Sequence, residues 1–555
     1  MEKRALIAVA LSVFVLIIFQ TLYVKPRLKN MPPPPQTQSS RDNKLPPVTS
    51  SPPAADTTKP PQGAAAPATK GQTQQSATAP ATPVVSEEER LITVQTQLYT
   101  ATLSSRGGVI KSLKLKDYKE GNNNEISLFK AEALVPAMTI GTREQGAGHT
   151  GDKDASTSAI NPITLLPLGF TTASDGGSIN TTETKKVTFE FAKDNRHITR
   201  TYTLYGNSYK IDLKDEVSGL DPYYVTLGSD FYDDSAVSYG AHLGPVILQD
   251  MDRIEIKADK KMDAALAHTG NIKWIATENK YFVGAIVPLT RPVESLVWKK
   301  DEKMLVGIKA SQPVNEYLLY AGPKKYDILK ALNVSLEHVV DFGFFSFIAR
   351  PLFWILLYIN GFIGNYGWSI ILLTLIIRVP FIPLISKGQR SMKKLQKIQP
   401  LMNDIRERNK KDPQRMQREI MELYKKHKVN PMGGCLPILI QIPVFFALYK
   451  VLLVSIELRG APFMLWIHDL STKDPYYIMP IIMGITMLIQ QRMTPTSMDP
   501  MQNKIMMFMP IVFTFMFLNF PSGLVLYWLV SNVLSISQQF YINKKPDQSA
   551  LTIPI

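Results

Sequence analysis

Apolar residues fall along this 555-residue chain in two arrangements, unbroken runs and strict alternation, and the two occupy different regions. Unbroken runs cover 5–24, 342–360, 364–385, 436–456, 476–491, 505–520 and 524–541. Most approach the ~20 residues that a helix needs to cross a hydrocarbon layer about 30 Å thick. Alternation is clearest where Val187, Phe189 and Phe191 are followed by Tyr202 and Leu204, then by Tyr209, Ile211 and Leu213. A period of two puts one set of side chains on one face of a strand, and Asp194-Asn195 supplies turn residues between two such strands. A further hairpin is predicted around Gly107-Gly108, with Val109, Ile110, Leu113 and Leu115 beyond it. Stretches rich in Gly, Asn and Ser near 121–124, 141–158 and 174–182 read as loops. Residues 86–335 are therefore expected to form a large antiparallel β-sandwich.

Composition sets the other boundaries. Residues 1–25 read as a transmembrane anchor, because Gln20 to Asn30 offers no small-residue cleavage pattern. Residues 26–85 read as a disordered linker; the part from 30 to 85 holds thirteen prolines and no aromatic residue, so it cannot bury a core. Residues 336–362 are expected to form an amphipathic helix lying in the membrane interface, its apolar run interrupted at Arg350-Pro351. Five spans follow within 363–545, and 546–555 is a short tail. Between the first two spans, Leu395, Ile398, Met402 and Ile405 make one apolar stripe and Met416, Ile420 and Leu423 another. They flank Asp412-Pro413, and so predict an antiparallel helical hairpin over 386–430.

The net charge of +15 acquires meaning from its location. Residues 386–432 carry fourteen Lys and Arg against five Asp and Glu. Such a surplus between two spans is the positive-inside signature, so the hairpin and both termini are placed in the cytoplasm and the β-domain outside. Lys25, Arg27 and Lys29 run against that orientation, and the stronger basic loop decides it. The surplus suits a ribosome or anionic lipid rather than sequence-specific nucleic acid binding. The lone cysteine, Cys435, excludes an internal disulfide. Lys450 is expected to snorkel outward, toward the side where Glu457 sits.

Arg378 is the exceptional residue of the first core span. An arginine at membrane depth costs at least ~2.5–3.5 kcal/mol on insertion scales and is a functional hypothesis by default. No carboxylate answers it, since 505–543 contains no charged residue at all. Arg378 must then either reach the near interface along its aliphatic stem or face water inside the protein. Thr374 lies one turn away on the same face. On the last span Tyr527, Ser531, Ser535 and Gln538 share a helix face, with Asn532 beside it, and Gln441 stands on the second core span. These groups are expected to converge on a hydrated groove open to the cytoplasm and to lipid, with positions such as Phe513 facing lipid. His197, His242, His268 and Asp233-Asp234 lack catalytic or metal-ligand spacing, so no catalytic residue, metal or cofactor is expected.

Five stretches resemble the YidC/Oxa/Alb family of membrane-protein insertases. They are NPMGGCLPILIQ (430–441), ELRGAPF (457–463), LWIHDLS (465–471), DPYYIMPI (474–481) and FPSGLVLYW (520–528). The resemblance is strong over about 340–543 and looser over the rest. It implies a non-enzymatic inner-membrane insertase and chaperone for nascent membrane proteins, working in the lipid bilayer alone or beside the Sec translocon. Ribosome contact would run through the hairpin and inner loops. The family's groove arginine falls on Arg378, its threonine on Thr374 and its aromatic pair on Tyr527 and Trp528, where a second tyrosine is more usual. With Gln441 and Ser531 these form the expected substrate-contacting set. The implied fold is a membrane protein with an N-terminal signal anchor, a periplasmic β-sandwich resembling sugar mutarotases, and an α-helical core of five transmembrane helices with a cytoplasmic coiled-coil hairpin. The alternatives are a small-solute transporter and a membrane-tethered periplasmic carbohydrate-binding protein.

Overall fold

A computed structural model describes residues 88–120, 123–143, 163–232, 241–257, 265–290, 294–427, 436–493 and 500–544. The expected anchor (1–25), linker (26–85) and tail (546–555), together with Cys435 and Asp233-Asp234, lie outside them.

The N-terminal half of the described chain is sheet, antiparallel except where Leu91–Gln95 pairs in parallel with Gly177–Ser178. Thr184–Lys193 and Arg196–Tyr205 pair along ten residues each, and Asp194 and Asn195 between them take φ of +52° and +60°. Both values are left-handed, as a two-residue hairpin turn requires. Gly107 and Gly108 (φ +88° and +57°) reverse the chain between Tyr99–Ser104 and Val109–Lys119 in the same sense. The largest sheet has eight strands, with Val314–Pro323 near its middle between Phe282–Pro288 and Lys210–Ser218. Sheets of five and six strands complete the domain. Alternation decides which faces are buried: Val187, Phe189, Ile198, Tyr202, Leu204 and Leu213 share one core with residues of the other two sheets.

One core position is charged. Arg200 sits in register with Asp215 on the neighbouring strand, and both side chains are fully buried. Nε and Nη2 of Arg200 donate to the two carboxylate oxygens at 2.7 Å each, and Nη1 donates to the carbonyls of Gly108 and Met138. The pair thus ties two sheet strands to the Gly107-Gly108 turn.

The core continues out of the domain through the short helix α1 (Tyr326–Ala331) and a 3₁₀ turn at Leu336–Val339. Tyr326 packs on Phe342 and Phe353, 6.2 Å from each ring centre. Trp274 donates to the Ser335 carbonyl at 3.1 Å. Arg459 lies over the Phe282 ring at 5.2 Å and donates to the Lys119 carbonyl. Lys450 ends on Asp341 (3.1 Å), in the segment leaving the sheets. These contacts seat the β-domain on the helical region.

The helices are α2 (Ser346–Ile363), α3 (Tyr366–Arg408), α4 (Pro413–Lys426), α5 (Leu436–Val454), α6 (Ile478–Met493), α7 (Pro500–Phe517) and α8 (Ser522–Lys544). The helix expected over 336–362 begins only at Ser346, and Arg350-Pro351 lies inside it without breaking it. The carbonyl that loses its partner belongs to Phe347, which is 70% exposed, so the break in the hydrogen-bond ladder falls on the outer side. The inner stripe is Ala349, Leu352, Phe353, Leu356 and Ile359. The helix of the first core span continues past 385 into the basic segment: α3 runs unbroken for 43 residues. At 1.5 Å per residue it is roughly 65 Å long, about twice the hydrocarbon thickness. Residues 386–399 are mostly Lys, Arg, Gln, Leu and Met, which favour helix.

Past Asp412, whose side chain caps Arg415 N–H at 3.0 Å, α4 folds back on α3. Leu395, Ile398 and Met402 are buried against Leu423 and Tyr424, whereas Ile405, Met416 and Ile420 are only half-buried. By length and composition α2 and α3 suit a membrane crossing; shorter apolar stretches occupy Gln441–Val454, Ile478–Met493 and Met506–Phe517.

Candidate functional site: a polar layer around α8

Helix α8 packs against α3, α5 and α6, and its polar side chains meet partners on all three. A four-residue spacing stacks Tyr527, Ser531 and Ser535 along one side of the helix. Arg378 of α3 donates through Nη1 to Ser531 Oγ at 2.9 Å and through Nη2 to Ser535 Oγ. Nearly one turn further, Gln538 donates to Ser386 Oγ (3.1 Å) and the Ile382 carbonyl (3.2 Å). Gln441 of α5 donates to Tyr527 Oη at 2.7 Å. Asn532 donates to Thr486 of α6 at 3.2 Å, and Gln539 to the Met493 carbonyl at 2.6 Å. Five of these donors stand in otherwise apolar helices, and all of their partners are neutral.

Among the described residues, the hydrogen-bond partners of Arg378 are neutral hydroxyls. Helices α2, α5, α6, α7 and α8 and the first half of α3 contain no Asp or Glu. A guanidinium has five N–H donors, of which Ser531 and Ser535 take two; Nε is buried and without a hydrogen-bond partner. Arg378 stands twelve residues beyond Tyr366, roughly 18 Å along the axis of α3. In a bilayer crossed by this helix that depth is beyond the middle of the hydrocarbon. Such an arginine is an acceptor-seeking cation, suited to bind a carboxylate or a polar backbone in a setting of low dielectric constant.

Not every expected site residue lies on the open side of this layer. Thr374 is 2% exposed and its hydroxyl donates to the Ile370 carbonyl of its own helix at 2.6 Å. Tyr527 is also 2% exposed. Both back the layer and do not line it, since a helical threonine readily spends its hydroxyl on the preceding turn. Arg378, Gln441, Trp528 and Ser531 are half-buried. Trp528 leaves α8 on another side and enters a ring cluster with Phe445 (4.8 Å), Phe517 (5.1 Å) and Phe513 (5.8 Å). Phe513 thus faces α8, contrary to its expected place toward lipid; Phe515, on the other side of α7, is 67% exposed.

Two structural carboxylates escaped the sequence reading. Besides Asp215, Asp474 is fully buried in the segment before α6. It accepts from Trp466 Nε1 (3.0 Å), Tyr476 N–H (3.0 Å) and Met479 N–H (2.7 Å), fixing both the 459–474 loop and the first turn of α6. Among the described residues no three His, Cys, Asp or Glu side chains gather as a metal site. His242 contacts the Pro245 carbonyl, far in sequence from His197 and His268.

Comparison with known proteins gives this layer its context. Residues 358–549 match the family model of the 60Kd inner membrane protein, and residues 91–355 match that of the YidC periplasmic domain. The chain is 40% identical over 570 aligned residues to the membrane protein insertase YidC of Syntrophus aciditrophicus, covering 98% of this chain and 100% of that one. It is also 40% identical to the YidC of Geobacter metallireducens, with 98% of each chain covered. The solute-transporter and carbohydrate-binding alternatives find no favour among these relatives. A crystal structure of an active YidC insertase aligns with 82% of this chain and 94% of its own, at 19% identity and a TM-score of 0.37. A galactose mutarotase related enzyme from Lactobacillus acidophilus aligns with 42% and 97%, at 11% identity and a TM-score of 0.27. Scores this low add nothing to the sequence relationship. A 40% identity sustained over nearly the whole chain does: the chain belongs to the YidC family of membrane protein insertases, inner-membrane proteins with a periplasmic β-rich domain and a helical C-terminal region.

Proposed function

We propose that the layer between α3, α5 and α8 is the path by which a nascent membrane protein enters the bilayer. The carrying observation is Arg378, held in the apolar half of α3 by two serines and, among the described residues, by no carboxylate. In this reading α3, α5, α6, α7 and α8 are the five spans, and α2 lies along the outer interface. The basic half of α3 and α4 stand in the cytoplasm with both termini, and the β-domain in the periplasm. A polar or acidic flank of the incoming chain exchanges water for Arg378, Ser531 and Gln441, so that crossing is divided into shorter steps. Its apolar segment meanwhile passes the rings around Trp528 into lipid. No nucleotide-binding motif is present in the sequence, so apolar partition and the membrane potential supply the driving force, without an enzymatic step. The surplus of basic residues on the hairpin suits a ribosome surface, and the exposed apolar faces of the bundle leave room for the Sec translocon beside it.

The test is reconstitution of the full chain in vesicles with a single-span substrate bearing an acidic translocated tail. Replacing Arg378→Ala removes charge-assisted hydrogen bonds worth ~1.5–3 kcal/mol. Insertion, read as protease protection of the tail, is expected to fall by about ten- to one-hundred-fold. Equal insertion by the variant would contradict the reading.

A further inference from the structure

Of the two hydroxyls that hold Arg378, that of Ser535 is the more constrained. Its proton is already committed, because Ser535 Oγ donates to the Ser531 carbonyl one turn back at 2.8 Å. A serine hydroxyl has one proton and two lone pairs, so only acceptor capacity is left to face the guanidinium. The residue is 7% exposed and rigidly placed on α8. Ser531 takes the other Nη from the preceding turn, so the two oxygens fix the guanidinium while Nε remains without a partner. An aspartate at the same point would make the ordinary choice for a buried arginine, a charge-assisted pair. The chain makes that choice elsewhere, at Arg200 and Asp215. In the membrane helices it uses hydroxyls instead.

We infer that Ser535 is a specificity-determining residue: by orienting Arg378 through a neutral acceptor, it leaves the positive charge uncompensated and leaves the Nη protons that the serines do not take open to a carboxylate on the incoming chain. The inference rests on the polar layer being the substrate path. Its content is that charge selectivity is set by what holds the arginine as well as by the arginine. A carboxylate at position 535 would occupy Arg378 from within and remove the preference, although every other group of the layer would be unchanged. Threonine, which keeps the hydroxyl, would retain the preference.

The experiment compares two single-span substrates that differ by one residue of the translocated tail, Asp or Asn, inserted by the full chain in vesicles. The readout is the ratio of Asp to Asn substrate inserted, which a general loss of folded protein does not move. Ser535→Asp is expected to lower this ratio by about ten-fold, the worth of one charge-assisted hydrogen bond, and Ser535→Thr to keep the parent ratio. Arg378→Gln is measured alongside. If Arg378→Gln leaves the ratio at the parent value, the polar layer is not the path and the reading beneath this inference fails. If Arg378→Gln lowers the ratio while Ser535→Asp leaves it unchanged, the role of Ser535 alone is overturned. Should Ser535→Asp fail to accumulate, Ser531→Asp brings a carboxylate to the other Nη and carries the same expectation.

Discussion

Replacing Asp215→Ala is expected to lower the stability of the β-domain by about 3–5 kcal/mol, the cost of leaving a buried charge without its partner. Arg200 cannot escape to solvent, since its side chain is fully buried and its Nη1 is engaged by the Gly108 and Met138 carbonyls. Nor can it shed its charge at any accessible pH. The penalty therefore falls on the domain and not on a surface rearrangement. Urea unfolding of the full chain in detergent, followed through the buried tryptophans Trp274 and Trp298, would show the shift. The double replacement Arg200→Met with Asp215→Leu is expected to recover most of it, because an apolar pair of similar volume incurs no desolvation cost. A loss below about 1 kcal/mol for the single variant would mean that water reaches the pair.

The second large effect is expected at the outer end of the bundle. Asp474→Ala strands three donors at once: the part-buried Trp466 indole and Tyr476 amide, and the buried Met479 amide. Each unsatisfied donor costs ~1–3 kcal/mol, so a local loss of about 3 kcal/mol or more is expected. It should appear as opening of the 459–474 loop and fraying of the first turn of α6, because the Met479 amide lies in that turn and has lost its cap. Limited proteolysis of the full chain in detergent reads this directly, as new cleavage between Arg459 and Asp474. Unchanged protection would show that water satisfies the three donors in place of the carboxylate.

Both carboxylates show where the sequence was legible and where it was not. The strands around Arg200 were readable because Val187, Phe189, Tyr202 and Leu204 keep a strict period of two. The same period carries a signal that was overlooked. Arg200 has the parity of Ile198, Tyr202 and Leu204, and Asp215 has that of Ile211 and Leu213. Charges at core parity on two strands invite a search for each other, although only the register, Asp215 opposite Arg200, makes them partners. Asp474 offered no such signal, as an aspartate before a proline in a loop reads as a turn residue.

The membrane half divides similarly. Polar positions on α8 were legible as one face, because a helix has a fixed period. Which of them would hold Arg378 depended on the crossing of α3 and α8, a tertiary fact. Local pattern does not reveal that Thr374 and Tyr527 lie behind the layer, or that Phe513 turns inward to Trp528. The change from apolar to basic composition near 385 does not mark a break in α3. Composition marks where a helix leaves the membrane, and backbone propensity decides where it ends.

The central claim, that the polar layer is a substrate path, is tested most directly by site-specific photo-crosslinking. A photoreactive residue is placed at Ser531 in the layer or at Trp528 in the ring cluster, both half-buried on α8, and separately at Phe515 and Ile485, which are exposed on α7 and α6. Ribosomes stalled on a short membrane-protein chain then present the emerging segment to the full protein in membranes. Crosslinks to the nascent chain from Trp528 and Ser531, with none from Phe515 and Ile485, are the expected result. Equal labelling at all four positions, or labelling at the exposed pair alone, would contradict the account and put the path elsewhere on the bundle.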